Sequence, residues 1–335
     1  MPLTGWRVLE VSEGPAAAFC AKVLSDLGAE VVVVEPPGGH PSRFGSPRHG
    51  DAPTDEPGAR FVYLNTGKAS VVIDDGELGA ERLRALVADA DVVVTDVDDD
   101  ALDALGPVPD TTSLAVIRPF GSTGPYRRHR ASHLTVFHSG GEGSLLPSGA
   151  GWMRYPNRPP LQIGSDIAWF DAGWNAAIAV LGACFDRLRT GFGQWIDVSV
   201  QESQLTLNRT RLSRFTNDGV LLQREGNRYG WAGMLDCADG WVQLVGVTDR
   251  QLDALAASPD GAGLAEAWGE DRSGVGDAMT AWCRARPKAE VVRVLSGLGA
   301  PVGSHAVPAD LFACEQLAHR GFFRQVDDGR GAPLL

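Results

Sequence analysis

The chain reads as an α/β protein: a doubly wound parallel sheet followed by a second, smaller α/β domain. Three observations lead there. "RVLEV" (7–11), "PAAAFCAKVLSDLGA" (15–29) and "EVVVVE" (30–35) place a short strand, a helix and a continuously apolar strand in succession, the pattern of a βαβ unit. "SVVIDD" (70–75), "ADVVVTD" (90–96) and "SLAVIRPFG" (113–121) continue as strands, with the helical "ELGAERLRALVADA" between the first two. From about residue 229 the character changes, and "GMLDCADGWVQLVGV" reads as a hairpin turning at Asp239-Gly240.

The remaining elements follow in order. Gly28 after "LSDL" stops the first helix. Residues 121–165 are rich in Gly, Pro and Ser and predict an irregular region of active-site loops. A long helix over 171–190 repeats Ile178, Leu181, Phe185 and Leu188 at helical spacing, and "RTGFGQ" ends it. "WIDVSV" (195–200) is another strand, a helix follows near 201–216, and "NDGVLLQREGNRYG" is a polar link. Helical stretches cover 249–257 and 275–297. The expected division is a large domain over 1–205, a linker over 206–224 and a small domain over 225–310.

Composition narrows the function. With 30 basic against 42 acidic residues the net charge is −12, which disfavours nucleic acid and anionic membrane as partners, though a local basic patch suits a phosphorylated ligand. No apolar run approaches the roughly 18 residues of a membrane span, and "MPLTGWRVLEVSEG" has no signal-peptide pattern. Five widely spaced cysteines without a CxxC point to reduced thiols in a cytoplasmic protein. The seven histidines form no HExxH or HxH pattern; His129, His133 and His138 are close in sequence, but with no cysteine nearby no metal is expected. The turn after the first strand, "SEGPAAAF", lacks GxGxxG, so NAD(P) or FAD is not expected there, and no Walker A sequence occurs.

Ligand-binding signals lie instead at strand ends. "VEPPGGHPSR" (34–43) forces a loop where open α/β sheets bind ligands and brings Arg43, and "LNTGKASVVID" (64–74) brings Lys68; each is otherwise a solvated surface cation. "GSDIAWFDAG" (164–173) sets Asp166 and Asp171 around the start of the long helix, where a carboxylate serves as cap, dipole partner, nucleophile or base. Trp152, Trp169 and Trp174 suit an apolar pocket or plain core packing.

Taken together, "LEVSEGPAAAFCAKVLSDLGAEVVVVEPPGGHPSR", "FVYLNTGKASVVID", "FGSTGPY", "FDRLRTGFGQWIDVSVQES", "DGWVQL" and "EQLAHRGFF" resemble the family III CoA-transferases, the group of formyl-CoA and carnitine CoA-transferases and α-methylacyl-CoA racemase. The resemblance implies an interlocked homodimer whose large domain is Rossmann-like, with residues 311–335 returning to it, and which binds coenzyme A against that domain and moves it between an acyl-CoA and a carboxylic acid. It places Arg43 and Lys68 at the nucleotide phosphates and Gly121 to Pro125, with Gly124, near the pantetheine. Arg128 or Arg130 beyond that loop is expected to assist. It also implies an aspartate at the start of the long helix that attacks the thioester, or, in the racemase, an aspartate and a histidine that move a proton.

The match departs from the family at specific places. Counted back from "RTG" (189–191), the aspartate position falls on Trp169, leaving Asp171 and Asp166 as the candidates, and the racemase histidine falls near Ser132, beside His133. The arginine expected after the fourth strand is replaced by "TDVDDDALDALG", whose acids are expected to repel phosphate, and Ala69 replaces a second cation after Lys68. Three readings stay open: a CoA-thioester enzyme using Asp171 or Asp166, a fold recruited to another reaction, and a non-catalytic binding subunit.

Overall fold

The computed structural model describes residues 1–45, 57–146, 157–221, 231–324, 326–327 and 333–334. Its contacts divide the chain into two compact units, one of Met1–Leu146 with Pro160–Leu222, the other of Pro147–Pro159 with Gln223–Leu335. Trp152, offered from sequence as a pocket residue, lies outside the described residues.

The first unit holds β1 (Arg7–Val11), α1 (Pro15–Asp26), β2 (Glu30–Glu35), α2 (Ala59–Asn65), β3 (Ala69–Val72), α3 (Glu77–Asp89), β4 (Val92–Thr95), α4 (Asp99–Ala104), β5 (Ser113–Arg118), α5 (His133–Ser139), α6 (Ile167–Thr190), β6 (Trp195–Ser199), α7 (Val200–Leu207) and α8 (Arg209–Asp218). The six strands pair in the order β3-β2-β1-β4-β5-β6, every pair parallel. The order reverses between β1 and β4, the switch point at which open sheets bind ligands beyond the strands' C-terminal ends. Both faces are covered. On one, Val8, Val31, Val94 and Ile117 pack with α1 and α6; on the other, Leu9, Val93, Leu114 and Val116 pack with Val87 of α3 and Leu105.

The strands fall where their apolar runs put them, because a strand covered on both faces needs no alternation. Small residues set the helix spacing. Ala168, Ala172, Ala176 and Val180 line the buried side of α6 at i,i+4 steps, facing Ala16, Ala17 and Cys20 of α1. A Cβ at Gly173 would stand 2.7 Å from the Ala16 carbonyl oxygen, so only glycine fits this crossing. By length and composition α6 is apolar enough to cross a membrane, but this side is core.

Several expectations are corrected. The region 121–165 is not wholly irregular, because Ser132 caps α5 by accepting from the Thr135 N–H. The long helix begins at Ile167 rather than 171, and the expected linker 206–224 is helical through Asp218. The helical pattern over 275–297 is broken where Pro287 cannot donate a backbone hydrogen bond.

The second unit has an antiparallel sheet of β7 (Trp231–Cys237), β8 (Gly240–Val247) and β9 (Val302–Ser304), with α9 (Asp249–Ala256), α10 (Leu264–Trp268), α11 (Val275–Arg284) and α12 (Lys288–Gly297). Its core includes Val242, Leu244, Leu255, Met279 and Leu295. The described residues of 311–335, expected from the resemblance to return to the large domain, group with this unit.

Candidate active site

The start of α6 carries two carboxylates, Asp166 and Asp171, and meets His133 from α5. Asp166 occupies the N-cap position, yet its side chain makes no capping bond; it accepts from Arg60 Nη1 of α2 at 2.6 Å. Asp171 lies in the second turn rather than the first, so it does not complement the helix dipole there. It accepts from Gln204 Nε2 of α7 at 2.8 Å, and Gln204 is fully buried. His133, the first residue of α5, takes over the capping: the Ala168 N–H donates to its Nε2 at 3.2 Å. With Nε2 accepting, the neutral ring carries its proton on Nδ1. Burial pushes the His133 pKa down, against the opposing pull of Asp166 and Asp171.

Trp169, at the position counted for the family's aspartate, is partly buried and packs against the core, as do Ile167 and Phe170. Phe170 stacks on Phe19 at 4.7 Å, so the first turn of α6 is held by apolar contacts that leave the two carboxylates to either side.

The cations predicted for phosphates have partners already. Arg43 follows β2 and forks onto Glu35 through Nε and Nη2, both at 2.5 Å, while its guanidinium lies 4.3 Å above Phe61. The fork is the main reason that the Glu35 carboxyl falls to about 2; hydrogen bonds from Ser70 and the His40 N–H add to it, against the penalty of burial. Arg43 keeps Nη1 outside the fork. Lys68 is a correction to the sequence-based expectation. Its side chain is 0% exposed, and Nζ donates to Glu10 Oε2 at 2.6 Å, Ala18 O at 2.9 Å and Asn65 Oδ1 at 3.1 Å. An ammonium has three donors, and here all three point inward.

Three of the acids after β4, Asp96, Asp98 and Asp99, do not stand free to repel a phosphate, which also corrects the expectation. Asp96 accepts from the N–H groups of Glu13, Gly14 and Ala17, filling the anion position at the start of α1. Desolvation raises its pKa and those three bonds oppose the rise. Asp98 caps α4 by accepting from the Ala101 N–H. Asp99 pairs with Arg118 and lies 3.7 Å from both Arg127 and Arg128.

The loop after β5 turns at Gly121 and Gly124, both at positive φ (83° and 84°), where a side chain would be strained. Asp197 of β6 pins it by accepting from the Ser122 N–H and hydroxyl. Arg128 is 75% exposed beyond this turn. Arg60, Glu10, Asp96, Arg118 and Gln204 were missed from sequence. An acid closing β4, "VTD" before "VDDD", was the one local signal for Asp96; the others have none.

A family model described as CoA-transferase family III matches residues 3–335. The chain belongs to that family. This family III chain is 28% identical to succinyl-CoA:(R)-benzylsuccinate CoA-transferase subunit BbsE of Thauera aromatica, over 98% of this chain and 85% of that protein. It is 26% identical to succinyl-CoA:mesaconate CoA-transferase of Haloarcula marismortui, over 96% and 84% of the two chains. A crystal structure of a CaiB/BaiF family protein from Brucella suis superposes with a TM-score of 0.84 at 28% identity, over 99% of this chain and 90% of that one.

Proposed function

We propose that this family III member moves CoA from an acyl-CoA to a carboxylic acid through a carboxylate at the start of α6, with Asp171 as nucleophile. The observation that carries the reading is the convergence of Asp166, Asp171 and His133 there. Asp171 is preferred because its partner is the neutral amide of Gln204, whereas Asp166 is paired with a guanidinium that withdraws its charge. The carboxylate adds to the thioester carbonyl, and the C–S bond breaks to give a mixed anhydride and CoA thiolate. The thiolate then attacks the aspartyl carbonyl, releasing the first acid and leaving an aspartyl thioester. Attack by the acceptor carboxylate and return of the thiolate reverse these steps, regenerating Asp171.

For the nucleotide, Arg43 offers Nη1, Arg128 is exposed, and Gly121 and Gly124 keep the loop free of side chains near the pantetheine. Lys68 is left out of this set. The homodimer belongs to the same proposal, supported by an apolar stripe on α6: Trp174, Ile178, Phe185 and Leu188 are 50–76% exposed at helical spacing, and such a stripe calls for a partner. A cytoplasmic location, supported by five unpaired cysteines, completes it.

A second reading, proton transfer at the Cα of an acyl-CoA, draws on His133, whose lowered pKa keeps a neutral ring available. It ranks lower because the basic nitrogen, Nε2, is occupied by the Ala168 N–H. The test is incubation of wild type, Asp171→Asn and Asp166→Asn with a panel of acyl-CoAs and acceptor acids, followed by mass spectrometry. Transfer product and an aspartyl adduct in wild type, both lost in Asp171→Asn, are expected. Deuterium at Cα without transfer selects the second reading. Neither signal in wild type leaves a fold recruited to another reaction or a binding subunit.

A further inference from the structure

One cluster in the first unit is not explained by the chemistry above. Arg118 closes β5 with its side chain 7% exposed, and only Nη1 is engaged, on Asp99. Its Nε and Nη2 are buried without a hydrogen-bond partner. A buried donor left unmet costs stability, so its retention points to a use. Arg127 Nη1 and Arg128 Nε stand 3.7 Å from the other Asp99 oxygen, within ion-pair range but too far for a hydrogen bond. Three guanidinium groups therefore face one carboxylate, whose pKa is lowered by the Arg118 bond first and then by all three charges. Among the described residues, neither Asp98 nor Asp100 pairs with an arginine.

The surroundings add a flat aromatic surface. Tyr126 and His129 stack at 4.9 Å and 25°, with Phe120 edge-on to both, and Tyr126 is 52% exposed. A stacked, exposed pair beside clustered arginines suits a nucleobase next to a phosphate. The cluster follows β5 at the C-terminal end of the sheet, where ligands bind in open α/β folds.

We infer that Asp99 is a placeholder for a phosphate, and that Arg127 and Arg128 bind the 3′-phosphate of CoA with its adenine against the Tyr126–His129 pair. This rests on the CoA reading given above. A terminal phosphate monoester carries nearly two charges and three free oxygens, which matches three arginines converging on one point better than an internal diphosphate does. Arg118, nearly buried, holds Asp99 in place, while the exposed pair turns to the ligand. The loop after β5 thereby supplies the cations absent after β4.

The test is calorimetry on the full chain with CoA and with dephospho-CoA, using wild type, Arg127→Gln/Arg128→Gln and Asp99→Asn. Wild type should prefer CoA by roughly ten- to a hundredfold, the value of charge-assisted phosphate bonds. The double variant, altered only at exposed positions, should melt like wild type and bind both ligands equally. Asp99→Asn should bind CoA roughly two- to tenfold more tightly, since a like charge is gone. A double variant that keeps the preference for CoA overturns the assignment while the CoA reading stands. Wild type that binds neither ligand removes the CoA reading, and this assignment with it.

Discussion

Replacing Lys68 by Met separates a structural cation from a ligand-binding one. Lys68 and Glu10 are 0% and 1% exposed and joined at 2.6 Å, so the pair is shut away from water. Methionine fills the stem but removes three donated bonds, to Glu10, Ala18 and Asn65. Glu10 then keeps only the Ser12 hydroxyl, at 2.7 Å, against a buried negative charge. Losing one partner of a buried pair costs about 3–5 kcal/mol. With a urea slope of about 3 kcal/mol per molar, the unfolding midpoint should drop by roughly 1–1.7 M. Replacing both, Lys68→Met with Glu10→Leu, should recover at least half of the loss, because no lone charge remains. A loss below about 1 kcal/mol, accompanied by weaker CoA binding, would refute the argument and return Lys68 to the nucleotide site.

Further outcomes follow from neighbouring groups. The folded-state pKa of Glu35, about 2, is depressed, so its stabilisation is present above the unfolded value near 4.5 and is lost as pH falls toward 2. Glu35→Gln should flatten acid unfolding in that window and cost up to about 3 kcal/mol at pH 7 in denaturant titrations. Asp96→Ala should cost about 2–4 kcal/mol by leaving backbone N–H groups unmet, while Asp96→Asn, still an acceptor, should melt near wild type. Because the His133 pKa is lowered by burial, wild-type stability relative to His133→Phe should be constant above about pH 6.5 and fall below it. Ile178→Asp with Leu188→Asp, at exposed positions on α6, should convert a dimer to a monomer in light scattering.

Much of the fold was legible because a parallel sheet covered on both faces writes itself as unbroken apolar runs, and "EVVVVE" and "ADVVVTD" are β2 and β4. Short helices were not. Neither α2 nor α4 is long enough to show a clear period, and both carry residues that matter here, Arg60 and Asp99. At the site, Asp166, Asp171 and His133 were picked out by type and position, yet their partners were invisible. Arg60 is 106 residues from Asp166 and Gln204 is 33 from Asp171, and nothing local announces either contact. Lys68 failed for a related reason: a lysine before a strand reads as a surface cation until Glu10, 58 residues earlier, is seen to face it.

The same physical device recurs along this end of the molecule, and its variations rank the phosphate sites. Each place that attracts an anion already holds a carboxylate: Glu10 on Lys68, Glu35 on Arg43, Asp96 on the start of α1, Asp99 on three arginines. A ligand phosphate must displace or share with that group, and the cost rises with how deeply the carboxylate is held. The Glu10 and Glu35 side chains are 1% and 2% exposed, so moving Glu10 would strand the buried Lys68 and moving Glu35 would break the two-bond fork on Arg43. Asp99 is 34% exposed, and two of its three partners reach out to water at 43% and 75%. Exchange of carboxylate for phosphate is cheapest there. On the proposed reading Arg43 would contribute its free edge while Glu35 stays in place, and the four charges of a CoA nucleotide would be met first where the internal substitute yields most easily.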